Sequence, residues 1–516
     1  MRIQRFILVF GASIGVALPI LPILGLVIAP STQSTASTSI KQAALGTNES
    51  FWLTLALATA VSALALSTGT LLAWLERRFE YPGRKFLSAM CLLPLAVPSY
   101  VLAGTLRESL GPGGLGLRSF SGFWAAVCVL SLATIPLVQL LVSAALTRIP
   151  IQEEEAARSL GASPWRAFKV ATLPRLRPSL TYSLLLTQLY VISDFGAVAM
   201  LNVPSLTWRL YLAVNTQQNI RALILGLALF VVSIPLFFVA QWLMGRHEHG
   251  ETVANPKSNN PRKLRGAALG LTYILQISIA MLGVCVPVIS LIFWITSGES
   301  EASLWTPLKD TSIIAILGAT ITVILAFFPA WLIARNPSSA MRWLERAVYL
   351  SSAMPGVLLA FGLLLIALAT SRLVDPEGNF YYMLTGSGLL LMIGYATRFI
   401  AEAYSSLKTN ILRLSLRQEE TARALGAGLW KQSRYITGPA LLPGIATAFI
   451  ICLLAIMKEL PVTLMLSGAM GLHTLSFRMF DRYQDAFLPD AGWAGLTLVF
   501  LALMTVVVTL RWRNHA

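Results

Sequence analysis

Charge is what this chain has least of. Only 12% of its 516 residues are Asp, Glu, Lys or Arg, whereas a soluble domain carries about a quarter. Too little polar surface is available to cover a soluble globular fold of this size. Cysteine and histidine are equally scarce, four of each. Cys91, Cys128, Cys285 and Cys452 stand singly inside apolar runs, which excludes a disulfide framework or a zinc pattern. His247, His249, His473 and His515 are dispersed, and the first two read as solvated residues. No Gly-Lys dipeptide occurs, so the chain lacks the phosphate-cradling GxxxxGK[ST] loop and does not hydrolyse ATP by that route. No H-E-x-x-H pair occurs either. One G-x-S-x-G match, Gly11 to Gly15, falls inside an apolar run, where a nucleophile elbow has no strand-to-helix turn. Its small residues are expected to serve helix packing.

Apolar residues fill the space that charge leaves. They make up 56% of the chain, and about twelve runs reach the roughly 20 residues that a helix needs to cross a bilayer. The expected fold is an all-α polytopic membrane protein of about 12 spans. The first half covers 1–245, with spans at roughly 6–29, 51–75, 86–106, 122–147, 178–200 and 220–245. A linker follows at 246–265, where Asn, Pro, Lys and Arg replace the apolar residues. The second half covers 266–516, with spans at about 266–295, 311–334, 344–370, 383–406, 440–466 and 490–510. A cleaved signal peptide is the rival reading of the first run. Its apolar stretch is longer than the roughly 7–15 residues of a signal core, and the matching run at 266–295 favours a retained span.

Two charged islands interrupt the apolar chain between the fourth and fifth spans of each half, at 148–177 and 408–439. Glu155 to Pro174 reads EAARSLGASPWRAFKVATLP, and Glu420 to Pro439 reads ETARALGAGLWKQSRYITGP. Glu155, Gly161, Trp165 and Pro174 each find their counterpart 265 positions on, at Glu420, Gly426, Trp430 and Pro439. Further upstream the offset is 257: Trp74, Arg78 and Pro98 pair with Trp331, Arg335 and Pro355. The chain is therefore duplicated. An even number of spans per half makes the copies parallel, with the pathway expected between them.

Placing both islands on one side sorts the 39 Lys and Arg residues into 28 on that side, nine on the other and two within spans. By the positive-inside rule the islands and both termini are cytoplasmic. The net charge of +16 is then topology, and nucleic acid is not needed to explain it. Each island reads as two short helices around a sharp turn. Gly161 suits the left-handed residue that ends a helix, and Ser163-Pro164 suits the start of the next. Trp165 and Phe168, three apart, share a face. A surface helix lying in lipid headgroups is the plain alternative, weakened by repetition of the same Glu, Gly and Trp.

Both islands resemble the EAA loop of ABC importer permeases, whose pattern runs EAA, three residues, Gly, nine residues, then I-x-L-P. Glu155, Ala156, Ala157, Gly161, Leu173 and Pro174 match in the first copy, with Ala171 where Ile is usual. Glu420, Ala422, Gly426, Ile436 and Pro439 match in the second, with Thr421 for Ala and Gly438 for Leu. The resemblance, to the type I importer fold, extends along the whole chain. It implies a permease in a bacterial inner membrane that binds no cofactor itself. Its partners would be the lipid bilayer, an extracytoplasmic solute-binding protein and two cytoplasmic ATP-binding subunits, which hold the ATP and magnesium. The segments Glu155–Trp165 and Glu420–Trp430 would dock in grooves on those subunits and carry their motion.

Asp194 and Glu459 are paired at offset 265, near the ends of the two fifth spans, and Lys458 adjoins Glu459. A charged group at membrane depth costs about 2.5–3.5 kcal/mol on insertion scales, so it usually faces a cavity or a partner. Two readings stand: local solvation or ion pairing, or a gate lined by one acid from each half. Arg398 reads as an interhelical hydrogen-bond anchor or a snorkelling residue, with a pathway role as the rival. The flanking SDFGAVAML (193–201) and MKELPVTLML (457–466) resemble the ferric-iron branch of the family, whose permeases are also fused; thiamine permeases share the fusion. External segments 201–219 and 467–489, with SLTWRLY and TLSFRMF, are expected to receive the binding protein. A proton-coupled secondary transporter using Asp194 or Glu459 is the reading from a different class.

Overall fold

The computed structural model describes residues 2–28, 46–112, 114, 116, 119–247, 262–299, 305–336, 338–375, 379–415, 420–421, 424–426, 428–467 and 471–515. Nearly all of them are helical. Eight helices are long and apolar enough to cross a membrane, among them Thr47–Arg78, Phe123–Leu146 and Trp305–Arg335. Two further spans are bent pairs, Arg84–Ala96 with Ser99–Leu110 at 102° and Asn379–Gly386 with Leu389–Arg413 at 59°. The last two expected spans are helices too, Leu173–Ser193 and Leu488–His515. The former opens with Arg175 and Arg177, and the latter is apolar over Leu488–Met504, which is shorter than the other spans.

Both third spans, expected at 86–106 and 344–370, are broken helices. The first is broken before Ser99 by Pro94 and Pro98; the second splits into Ser339–Ala353 and Gly356–Val374 at Pro355. Proline supplies no N–H and its ring clashes with the preceding turn, so a helix breaks there. In both halves the break places the start of a new helix beside the end of the fifth span, and this is what builds the site described below.

The halves exchange their first spans. Helices Arg2–Ala17 and Leu21–Ile28 pack on Trp305–Arg335 and Gly356–Val374 of the second half. The approach is backbone to backbone: a Cβ on Gly25 would sit 2.0 Å from the Gly362 carbonyl oxygen, and one on Gly362 would lie 2.3 Å from that of Pro22. Small residues are what allow such contact between membrane helices. Gly15 likewise lies against Leu325 and Pro329, so the G-x-S-x-G residues serve packing. In return, Ala267–Ala280 and Val286–Thr296 lie on the first half. Gly283 abuts Pro94, Gln276 donates to the Tyr81 hydroxyl at 2.8 Å, and the Ser109 and Ser290 hydroxyls bond to each other.

The end of the linker is anchored as well. Arg262–Lys263 pairs in parallel with Phe79–Glu80, and the Leu264 N–H donates to the Glu80 carbonyl at 2.9 Å. Tyr273 adds a hydrogen bond from its hydroxyl to the Pro82 carbonyl at 3.0 Å. Most of the expected linker, 248–261, lies outside the described residues.

Candidate functional site

The first charged loop folds as helix Gln152–Ser159, a turn, helix Pro164–Ala167 and a π-helical turn Phe168–Thr172 that leads into the fifth span. Gly161 has φ +89°, its N–H donates to the Arg158 carbonyl, and the Ala162 N–H reaches back to the Ala157 carbonyl. These two bonds make a Schellman motif, which closes a helix through one left-handed residue. Ser163 then caps the next helix by accepting the Arg166 N–H at 3.3 Å. The π turn sits just before Pro174, whose missing N–H leaves the ladder locally free to widen. In the second loop Gly426 has φ +78° and a π turn spans Ser433–Thr437, so the path is repeated. Ala422 lies outside the described residues, and Trp430 is described only as part of helix Leu429–Gln432.

Three consecutive glutamates of the first loop have three different fates. Glu153 pairs with Arg175 at 2.8 Å near the surface. Glu155 is half-exposed, 3.8 Å from Arg262 at the anchored linker end. Glu154 is buried: its Oε1 accepts from Arg78 Nε at 3.1 Å and from the Thr172 hydroxyl, while Arg78 Nη2 donates to the Ile149 carbonyl at 3.0 Å. Both members of the ion pair are almost fully enclosed, with side chains 2% and 4% exposed. The loop is thus bolted to the end of helix Thr47–Arg78. Repeat matching points to Glu155 and passes over Glu154, whose counterpart, Glu419, lies outside the described residues.

Large apolar side chains stand exposed on these loops among the charged ones. Leu160 is 89% exposed, Leu425 81% and Trp165 57%. Trp165 stacks on buried Phe168 at 5.6 Å between ring centroids, with Lys169 Nζ 5.7 Å from the indole centroid. Ala156 is exposed and Ala157 half-buried, while Glu420 is exposed.

The second location is a cavity of about 150 Å³ between the halves. Its lining includes Asp194, Glu459 and Lys458 from the ends of the fifth spans, Arg398 from the fourth span of the second half, and Ser99, Tyr100 and Tyr190. The sequence pairs Asp194 with Glu459 by repeat position; the structure brings both to one cavity. Each carboxylate also ties down the short helix that follows it. Asp194 Oδ1 accepts the Ala197 N–H at 2.9 Å, and Glu459 Oε1 accepts the Val462 N–H at 3.3 Å. Arg398 donates to the Met354 carbonyl at 2.8 Å, so it is an interhelical anchor that also lines the cavity.

Outside the cavity, the segments expected to receive a partner form helices Leu206–Asn215 and Leu475–Gln484, capped by Ser205 and Thr474. Their tethers match across the repeat. The Thr207 hydroxyl donates to the Asp194 carbonyl at 2.9 Å, and the Ser476 hydroxyl to the Glu459 carbonyl at 3.0 Å. Phe195 meets Phe480 at 5.8 Å, and the Tyr483 hydroxyl donates to Glu108 at 2.9 Å, so these helices also join the halves.

The family model for the binding-protein-dependent transport system inner membrane component matches twice, at 82–250 and 323–512. The chain is 30% identical over 459 residues to the Fe(3+)-transport system permease protein FbpB 2 of Haemophilus influenzae, covering 87% of both chains. It is 33% identical to the sulfate transport system permease protein CysW of Escherichia coli, over 38% of this chain and 74% of that one. It is 30% identical to the molybdenum transport system permease protein ModB of Escherichia coli, over 37% of this chain and 93% of that one.

Proposed function

Because the chain belongs to the family of binding-protein-dependent transport system inner membrane components, and is thus a multi-pass ABC importer permease built from two fused copies, we propose that it carries ferric iron across the bacterial inner membrane. One observation carries this reading above the others: similarity to the Fe(3+) permease runs through both halves, over 87% of each chain. Each match to the sulfate and molybdenum permeases covers under two fifths of this chain. Oxygen donors from both halves meet in the cavity, Asp194 and Glu459 among them, and a hard cation prefers such ligands.

The mechanism is alternating access. A solute-binding protein delivers cargo onto helices Leu206–Asn215 and Leu475–Gln484. Two separate ATP-binding subunits seat on the cytoplasmic loops, Glu155–Trp165 and Glu420–Trp430, and the apolar faces of Leu160, Trp165 and Leu425 fill their grooves. Closure of the subunits pushes on the loops and rocks the halves around the cavity, which Asp194, Glu459 and Lys458 gate. A helix-in-groove joint of this kind transmits rigid-body motion. Net transport requires that cargo affinity differ between the outward and inward states. Both termini lie in the cytoplasm.

A second reading rests on the other charges in the cavity. Lys458 and Arg398 line it beside the two acids, and they would suit an oxyanion such as sulfate or molybdate. Proteoliposomes holding the permease with an ATP-binding subunit and a binding protein separate the two readings. Uptake of radiolabelled ferric iron that saturates, and that excess sulfate or molybdate leaves unchanged, is the expected result. Uptake of labelled sulfate or molybdate without iron uptake would replace the cargo and leave the architecture intact.

A further inference from the structure

The two halves build the same corner of the cavity from different residues. In the first half Ser99 follows the break at Pro98, and its hydroxyl donates to Asp194 Oδ2 at 2.5 Å. Two residues past the acid stands Gly196, packed so tightly that a Cβ there would lie 2.7 Å from the Tyr100 Cβ. In the second half the equivalents of Ser99, Asp194 and Gly196 are Gly356, Glu459 and Pro461, at the repeat offsets of 257 and 265. A Cβ on Gly356 would lie 2.8 Å from Glu459 Oε1 and 3.0 Å from Pro461 Cγ. Real Cβ atoms do not approach an oxygen that closely.

The differences compensate. Glutamate is one methylene longer than aspartate, so its carboxylate occupies the space that the serine side chain takes in the other half. The proline ring fills the rest, and glycine at 356 makes room for both. Either way the carboxylate ends within hydrogen-bond reach of the N–H three residues on, at Ala197 or Val462. Either way the carbonyl of the same acidic residue accepts a hydroxyl, from Thr207 or Ser476.

We propose that Ser99–Asp194–Gly196 and Gly356–Glu459–Pro461 are two versions of one three-residue interlock, which holds the break after each fifth span and positions the gating carboxylates of the cavity. Ser99, Gly356, Gly196 and Pro461 are then positioning residues whose identity is set by the acid opposite them. The proposal rests on the reading of the cavity as the gate. It predicts that the positions exchange as a set and fail singly.

The test uses the permease assembled with its ATP-binding subunits and binding protein in proteoliposomes, with ferric iron as the probe. Gly356→Ser and Glu459→Asp are each expected to lower ATP-driven uptake about tenfold or more, since a misplacement of about 1 Å can cost up to a hundredfold. Each is also expected to raise the ATP consumed per ion. The triple variant G356S/E459D/P461G rebuilds the first-half corner in the second half. It is expected to return both uptake and the ATP-to-ion ratio to within about threefold of wild type, which loss of stability at three sites would not do. A triple variant no better than the worse single one, or single variants that behave as wild type, overturns the interlock. If a single variant fails to insert, recovery of insertion and uptake by the triple supports the interlock, and a triple that inserts without regaining uptake refutes it. If the wild-type complex takes up no iron, the cargo reading fails instead. The interlock is then judged by ATP hydrolysis without cargo, raised in the single variants and restored in the triple if correct, and unchanged throughout if wrong.

Discussion

Glu154→Ala is expected to destabilise the protein by about 3–5 kcal/mol, the cost of leaving one member of a buried ion pair without its partner. Arg78 would keep its charge in a side chain 2% exposed, with its contact to the Ile149 carbonyl retained and the carboxylate gone. Thr172 would lose its acceptor as well. Removing both charges with apolar residues of similar length, as in R78M/E154L, avoids the stranded charge, and such replacements are often neutral or stabilising. Thermal unfolding in detergent checks the order: the double variant should melt well above the single one. A single variant as stable as wild type would show that the pair does not bolt the loop to helix Thr47–Arg78. ATP-driven uptake provides a second readout. In the double variant the fold is kept but the bolt is apolar, and a fall in uptake there measures transmission apart from stability.

The second large effect is expected at the turns of the two loops. Gly161 and Gly426 have φ of +89° and +78°, and nothing lies within 4 Å of where a Cβ would sit on either. Leucine at both positions would therefore meet two penalties. The left-handed backbone costs about 1–2 kcal/mol for a residue with a Cβ, and the new side chain projects into the space proposed above for an ATP-binding subunit. In the double variant G161L/G426L, ATP-driven uptake should fall by at least about tenfold, in line with the loss expected when a joint is displaced by about an ångström. The ATP-binding subunits should continue to hydrolyse ATP. Retained uptake would remove the loops from force transmission.

The repeat made much of this architecture legible, because duplication is a property of order and spacing alone. The offset of 265 positions pairs the two loops, their Gly turns and the two acids, and each pair occupies matching places in the structure. Pro98 and Pro355 are visible as residues, yet a hydropathy run reads straight through them, so the span bounds alone do not show where the helices break. The exchange of first spans carries no local signature: Gly25 and Gly362 lie far apart in the chain, and only the tertiary approach shows why each is small. Glu154 was hidden for a different reason. Among three consecutive glutamates, which one turns inward depends on the helix phase relative to Arg78, and its own match falls in the second loop where residues are not described. The lesson of Ser99 and Gly356 is the reverse. The alignment of AVPSYVLA with AMPGVLLA already places them over each other, but the meaning of the mismatch appears only beside the one-methylene difference between Asp194 and Glu459.

The proposed function makes this chain a conduit without an engine, its two halves driven through the charged loops by ATP hydrolysed on separate subunits. Proteoliposomes containing the permease, its ATP-binding subunits and the binding protein can be loaded with ATP while the proton gradient is collapsed with an uncoupler. Uptake of the bound cargo is expected to continue, and to stop when ATP or the ATP-binding subunits are omitted. Uptake that needs the proton gradient and proceeds without ATP would contradict it, and would make Asp194 and Glu459 the proton carriers of a secondary transporter.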